Sequence, residues 1–183
     1  MDTVADPAFR QFLDSARTAD AIRSRSGRSA LREHLADDAT VPGLLANLSD
    51  RGIAIVVTTT SGRDRRGMIE LVGDTGIVLR SPTGIRSMLQ LRLIASLRTT
   101  EPIHVAGDGK VDTSRSWPTM VASFIEVGDE VTVIACGQVT TGIIVNCSRS
   151  LLAMRLPSNG WHYAVVDAIE EVSLSGPGSI RHD

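Results

Sequence analysis

Two stretches of the 183-residue chain decide its fold: GRDRRGMIELVGDTGIVLRSP at 62–82 and GQVTTGIIVNCSRSLLAMRLP at 137–157. They correspond at a separation of 75 residues, and the correspondence runs without a gap from 62 to 97. The matched pairs are Gly62 with Gly137, Gly67 with Gly142, Ile69 with Ile144, Arg80 with Arg155, Pro82 with Pro157, and Ile94 with Ile169. At a separation of 76, Pro42 matches Pro118 and Gly52 matches Gly128. These matches in the same order indicate a duplicated unit.

The duplication divides the chain into five parts. We define a first repeat at 40–98 and a second repeat at 116–174, with a linker at 99–115. The N-terminal extension, 1–39, has partly amphipathic stretches and is predicted to be helical. The tail, 175–183, is rich in Gly and Pro and is expected to be flexible.

Each repeat is predicted to open with one short helix. In the first repeat, Thr40 is a suitable N-cap, Pro42 suits the first turn, and Gly52 can end the helix in a left-handed conformation. The apolar residues between them recur at helical spacing and form one stripe. In the second repeat, Pro118 and Gly128 take the same places.

Five short strands with tight turns are predicted to follow each helix. In the first repeat they are 53–60, 67–72, 77–80, 87–91 and 94–97, and in the second 130–135, 142–146, 151–156, 162–166 and 169–174. Gly67 and Gly142 are predicted to mark sharp bends or close backbone approaches. About 55 residues with five strands suit a small closed barrel. The expected fold is therefore mainly β with N-terminal helices, built of two tandem five-stranded barrels.

The order of one helix and five strands resembles the Sm/LSm family, of which bacterial Hfq is a member. PGLLANL at 42–48 is similar to an Sm N-terminal helix, and VTTTSGRDRRGMI at 57–69 is similar to the first half of the Sm1 motif, with VTTGII at 139–144 as its second copy. The likeness covers Pro42–Arg98 and Pro118–Leu174. The arrangement with an N-terminal extension also resembles some actinobacterial proteins, and other SH3-like barrels have the same strand count.

The resemblance implies RNA binding and barrels that pair edge strands in rings, but the chain departs from the motif. Where Sm1 has an aromatic residue followed by Asp, this chain has Val72-Gly73 in the first repeat and Cys147-Ser148 in the second. We therefore expect no uridine pocket of the Sm type.

Composition excludes several classes of protein. The net charge of −2 argues against a wholly basic nucleic-acid binder, and aromatic residues are only 3% of the chain. No apolar run reaches about 18 residues, and the N-terminus is acidic, so neither a membrane span nor a signal peptide is expected. Charge is nevertheless uneven: the first repeat has eight Arg against four acidic residues, and the second has two against six. A basic repeat could therefore attract an acidic one.

No catalytic residue, cofactor or metal site is expected. The four histidines have no cysteine or carboxylate at metal-ligand spacing, and no phosphate-binding glycine motif is present. Cys136 and Cys147 are predicted to lie at opposite ends of a hairpin, too far apart for a disulfide. Both are expected to be reduced and mostly buried in a cytoplasmic protein.

The candidate binding residues are arginines of the first repeat. Arg63, Arg65 and Arg66 are predicted to share one hairpin turn, with Arg80 and Arg86 downstream, where they could contact an RNA backbone. One hypothesis is therefore a tandem Sm-like RNA-binding or RNA-regulatory protein. The other is a non-enzymatic scaffold that self-assembles, with pairing either between chains, such as three chains carrying six barrels, or between the two repeats of one chain.

Overall fold

The computed structural model describes residues 40–100, 111 and 114–174. The predictions for the extension 1–39, for most of the linker 99–115 and for the tail 175–183 lie outside the described residues. The described chain belongs to one compact unit that begins at Thr40.

Two helices and ten strands make up this part of the chain. The helices are α1 (Val41–Asp50) and α2 (Trp117–Phe124). The strands of the first repeat are β1 (Ile55–Thr59), β2 (Asp64–Val72), β3 (Gly76–Arg80), β4 (Arg86–Gln90) and β5 (Ile94–Thr99). Those of the second repeat are β6 (Glu130–Ala135), β7 (Gln138–Cys147), β8 (Leu151–Arg155), β9 (Trp161–Val165) and β10 (Ile169–Leu174). The predicted order of one helix and five strands per repeat is confirmed.

Local sequence signals set the ends of α1. The Thr40 side chain accepts a hydrogen bond from the Gly43 backbone N–H at 3.1 Å, as an N-cap does. Pro42 lies in the first turn, where a missing N–H costs nothing. Gly52 follows the helix with φ of +60°, a conformation that glycine adopts without strain.

The ten strands form one antiparallel sheet in the order β5-β1-β2-β3-β4-β10-β6-β7-β8-β9. Within each repeat the order is the same, because the fifth strand lies beside the first and the fourth lies at the other end. The two separately closed barrels expected from the sequence are not confirmed. The fourth strand of the first repeat pairs instead with the fifth strand of the second.

The duplication extends to the register of the strands. Ile69 lies opposite Leu79, and its counterpart Ile144 lies opposite Met154. In both repeats the register of this hairpin shifts just after that isoleucine. Equivalent positions of the two repeats can therefore be compared directly, at a separation of 75 from β2 onward and of 76 before it.

Gly67 and Gly142 are required by close backbone approach, as the sequence predicts. A Cβ on Gly67 would overlap the carbonyl oxygen of Arg80, and one on Gly142 would lie 2.8 Å from that of Arg155. Nonbonded carbon and oxygen atoms do not approach each other so closely, so a side chain at either position would force the strands apart.

Two apolar clusters form the core. The first lies within the first repeat and includes Leu45, Leu48, Ile55 and Ile77. The second is built mainly from the second repeat but also includes two residues of the first: Val78 of β3 and Met88 of β4. The junction between the repeats is therefore part of the hydrophobic core.

Candidate interaction surfaces

The predicted arginine cluster is distributed over two structural elements. The turn closes around Gly62, and β2 begins at Asp64, so Arg65 and Arg66 lie on a strand. The prediction that Arg63, Arg65 and Arg66 share one turn is therefore wrong. Because successive side chains of a strand point to opposite faces, Arg65 and Arg66 lie on different sides of the sheet.

Arg65 connects the two repeats. Its Nε donates to Oε1 of Glu171 on β10 at 2.7 Å, and the Glu171 side chain is only 1% exposed. Ser173 also donates to that oxygen. The guanidinium therefore neutralises a buried carboxylate of the other repeat, and it is less available to a ligand than the sequence suggested.

Arg80 and Arg86 share one partner. Both guanidinium groups pair with Glu70 of β2, which is next to the Arg80 strand β3 and one strand further from the Arg86 strand β4. Three charges within this group leave a net charge of +1. Since both arginines remain about half exposed, the pairs contribute little to stability, but the surface stays cationic.

A further pair stands at the outer edge of the first repeat. Arg98 of β5 pairs with Asp64 of β2, and the Thr58 hydroxyl donates to the same carboxylate at 2.6 Å. The hydrogen bond from Thr58, followed by the one from Arg98 and its charge, lowers the pKa of Asp64 below its ordinary value.

Arg66 is exposed, and within the described residues it has no ion-pair partner. Together with Arg80 it lines a shallow groove of about 360 Å³ that also includes Met68 and Pro82. Of the five predicted site residues, the structure therefore brings these two together on one accessible surface. Arg63 is half-buried, close to the start of β2.

The junction between the repeats, which we call the seam, joins β4 to β10. Met88 lies opposite Val172, and Leu89 lies opposite Glu171. Arg92 reinforces the seam because it donates to the backbone oxygen of Asp167. Pairing of the two repeats within one chain is therefore observed. It occupies only two of the four strand edges that two such repeats possess.

Helix α2 completes the seam. The Trp117 backbone N–H donates to the Thr75 hydroxyl at 2.7 Å, and its indole Nε1–H donates to the Val166 carbonyl at 2.9 Å. A Cβ on Gly76 would lie 2.9 Å from the Trp117 ring. The ring therefore fits against the first repeat because position 76 has no side chain.

Apolar side chains are exposed on β9, at one end of the sheet. Trp161, Tyr163 and Val165 are all more than half exposed, and the two aromatic rings stack with centroids 6.4 Å apart. Sequence reasoning did not identify this surface. The sequence does contain a signal for it, because large apolar residues alternate with His162 and Ala164 along 161–165. Such alternation predicts a strand with one exposed and one buried face.

The seam also forms one wall of an open cavity of about 550 Å³. Its lining includes Thr75, Gln90, Trp117 and Asp167, and the side-chain oxygen of Gln90 is buried without a hydrogen-bond partner. That oxygen is inaccessible to solvent, so the cavity gives a ligand no direct contact with it.

The two cysteines, both predicted to be mostly buried, differ in their exposure. Cys136 is exposed, contrary to the prediction, because it lies in the tight β6–β7 turn with φ of +48°. Cys147 is half-buried, and burial raises the pKa of its thiol.

No group of three or more metal-ligating side chains occurs in residues 40–100 and 114–174. No helix in this same part of the chain is long and apolar enough to cross a membrane.

No protein-family model matches the chain, and no curated protein is recognisably similar to it.

Proposed function

We propose that the protein is a non-enzymatic assembly module whose copies associate end to end, with β9 of one copy adding to β5 of the next. The strand pairing at the seam is the observation that supports this proposal. It joins the fourth strand of one repeat to the fifth strand of the other. The outer edges of β9 and β5 are again a fourth and a fifth strand, and no strand of the described chain pairs with either of them. Unpaired edges are templates for strand addition.

The register of the seam, carried over to the free edges, specifies the contact. Val172 opposite Met88 becomes Leu97 of one copy opposite Tyr163 of the next. In the same way Glu171 opposite Leu89 becomes Ser96 opposite Ala164. Met88, the counterpart of Tyr163, is fully buried at the seam, so this contact is expected to cover Tyr163 in the same way.

Charge favours the same arrangement. The first repeat has a net charge of +4 and the second has −4, from the counts of arginine and acidic residues. End-to-end association places the basic repeat of one copy beside the acidic repeat of another, as within the chain. Complementary charge speeds association and disfavours contacts between like repeats.

Such a contact is heterologous, since it joins two different surfaces. Heterologous contacts form a closed ring if the rotation between copies closes and a filament if it does not. A ring of three chains would carry six repeats.

The first prediction is that blocking either edge alone gives monomers, whereas mixing the two blocked variants gives dimers. Tyr163→Lys places a charge on the β9 edge, and Ser96→Lys places one on β5, where association would bury it. The Tyr163→Lys variant keeps an unmodified β5 edge, and the Ser96→Lys variant keeps an unmodified β9 edge. One copy of each variant can therefore pair with the other. Light scattering coupled to size-exclusion chromatography should therefore show twice the 19.6 kDa monomer mass only in the mixture.

Val127→Lys is the matched control, because Val127 is even more exposed than Tyr163 but lies in a loop away from both edges. It should keep the mass of the unmodified chain. A monomeric unmodified chain at all concentrations up to near millimolar would overturn the proposal. A mixture of the two blocked variants that stays monomeric would also contradict it.

RNA binding is the second candidate function, supported by the surface of Arg66 and Arg80. These residues flank one groove, and the neighbouring Arg86 adds a third cation beside a single acidic residue. Arginine side chains bind phosphate well, and stacking is not required for binding along the backbone. The scarcity of aromatic residues therefore limits sequence recognition more than affinity.

The second prediction is that Arg66→Ala with Arg80→Ala weakens RNA binding without unfolding the protein, since Arg66 has no ion-pair partner within the described residues and Arg80, which pairs with Glu70, is about half exposed. Anisotropy of a labelled single-stranded RNA should show an affinity that falls steeply with salt. The salt slope should drop by about 0.7 for each phosphate that the variant no longer neutralises. Arg155→Ala, the counterpart of Arg80 on the acidic repeat, is the control and should bind normally. Unchanged binding by the double variant would exclude this surface.

A further inference from the structure

We infer that helix α1 of one copy seats on the β8–β9 face of the next, and that large and small residues have changed sides relative to the seam. This inference rests on the proposed end-to-end association and specifies its surface. Trp117 and Gly76, which face each other at the seam, have exposed counterparts in Val41 of α1 and Leu151 of β8. Val41 also lines the open cavity beside the seam.

At the seam a large residue packs against a small one. Trp117 of α2 is 1% exposed, and its ring fits over Gly76 at the start of β3. Met120, one turn further along the helix, lies beside both Gly76 and Gly73. A side chain on either glycine would collide with the helix, so the fit depends on their having none.

At the free ends the sizes are reversed. The counterpart of Trp117 is Val41 of α1, which is 48% exposed. The counterpart of Gly76 is Leu151 of β8, which is 41% exposed. A smaller residue on the helix would therefore meet a larger residue on the strand. Ser150 replaces Thr75, so a hydroxyl remains available for the backbone N–H of residue 41.

A second pair of positions differs between the seam and the free end in exposure. Val78 and Met88 lie opposite each other on β3 and β4, and both are fully buried at the seam. Their counterparts, Ala153 and Tyr163, lie opposite each other on β8 and β9. The larger residue of the pair is on the fourth strand in both repeats. Tyr163 is 61% exposed in the single chain, although its counterpart is a core residue.

The seam limits which surfaces another copy can reach. Trp117 already covers Gly76, and β10 is already paired with β4 within each chain. The surfaces that remain are α1 with the β5 edge and the β8–β9 face, so a further copy can associate only in the same order of repeats.

The third prediction is a double-mutant cycle on the exchanged pair. Val41→Trp alone should create the large-on-large conflict, and Leu151→Gly alone should leave a gap, each weakening association by about tenfold. The double variant reproduces the pair found at the seam and should recover most of the lost affinity. Sedimentation equilibrium of the full chain measures the association constants, and thermal unfolding checks that each variant is folded.

Val127→Trp combined with Leu151→Gly is the control and should give no recovery, because Val127 lies away from the proposed contact. Since glycine weakens a strand, Leu151→Ala with Val41→Phe repeats the exchange with smaller steps. If the unmodified chain associates but neither double variant recovers affinity, the inference is overturned while the end-to-end proposal stands. If the unmodified chain does not associate at all, the proposal itself fails.

Discussion

Replacing Trp117 by alanine is expected to lower the free energy of unfolding by about 3–5 kcal/mol, the range for truncating a buried tryptophan. Trp117 is buried in the core that both repeats share. Its indole also donates to the Val166 carbonyl, and that carbonyl would lose its partner. The loss should appear as a lower midpoint in urea unfolding.

Trp161→Ala is the matched control for this prediction. Trp161 is 56% exposed at the end of the sheet, so its removal in the monomer should change stability by no more than about 0.5 kcal/mol. Both measurements belong at low protein concentration, where association does not contribute to stability. Equal effects of the two substitutions would show that Trp117 does not hold the repeats together.

Replacing Arg65 by alanine is expected to destabilise the protein by about 3 kcal/mol, near the lower end of the range for breaking a buried ion pair. The lower end applies because Arg65 is 31% exposed, whereas Glu171 is 1% exposed. Without the guanidinium, Glu171 keeps the hydrogen bond from Ser173 but has no charged partner. The penalty arises from the uncompensated buried carboxylate rather than from the loss of one hydrogen bond.

Arg66→Ala is the control, because it removes the same side chain from the next position of the same strand, where it is exposed. Its effect on unfolding should be within about 0.5 kcal/mol. Adding Glu171→Gln to Arg65→Ala should restore part of the stability, since the buried charge is then absent. If Arg65→Ala unfolds at the same urea concentration as Arg66→Ala, the loss of the charged partner of Glu171 does not destabilise the protein, and the prediction is wrong.

The sequence predicted the internal organisation of each repeat in detail. Thr40, Pro42 and Gly52 set the ends of α1 through capping and backbone conformation, which depend on a few neighbouring residues. Gly67 and Gly142 were identified because a glycine inside a strand, present in both copies, indicates a close approach of two backbones. These features are local, and the second copy provided an independent test of each.

The candidate sites were predicted less well, because side-chain availability depends on distant residues. The arginines were identified by charge and position, but Arg65 is paired with a glutamate 106 positions further along the chain. Arg80 and Arg86 converge on Glu70 only because three adjacent strands bring them together. The exposure of Cys136 followed from a left-handed turn at a residue other than glycine, which composition does not reveal.

What the sequence determined by itself is therefore the repeat: two copies of one helix and five strands, with their turns, caps and opposite net charges. Only the tertiary structure decided how the copies are joined. Closure of each barrel and pairing across β4 and β10 use the same hydrophobic strands, so local patterns do not distinguish them. The choice depends on contacts such as Trp117 on Gly76, which lie 41 residues apart in the chain and exist only when both repeats are folded.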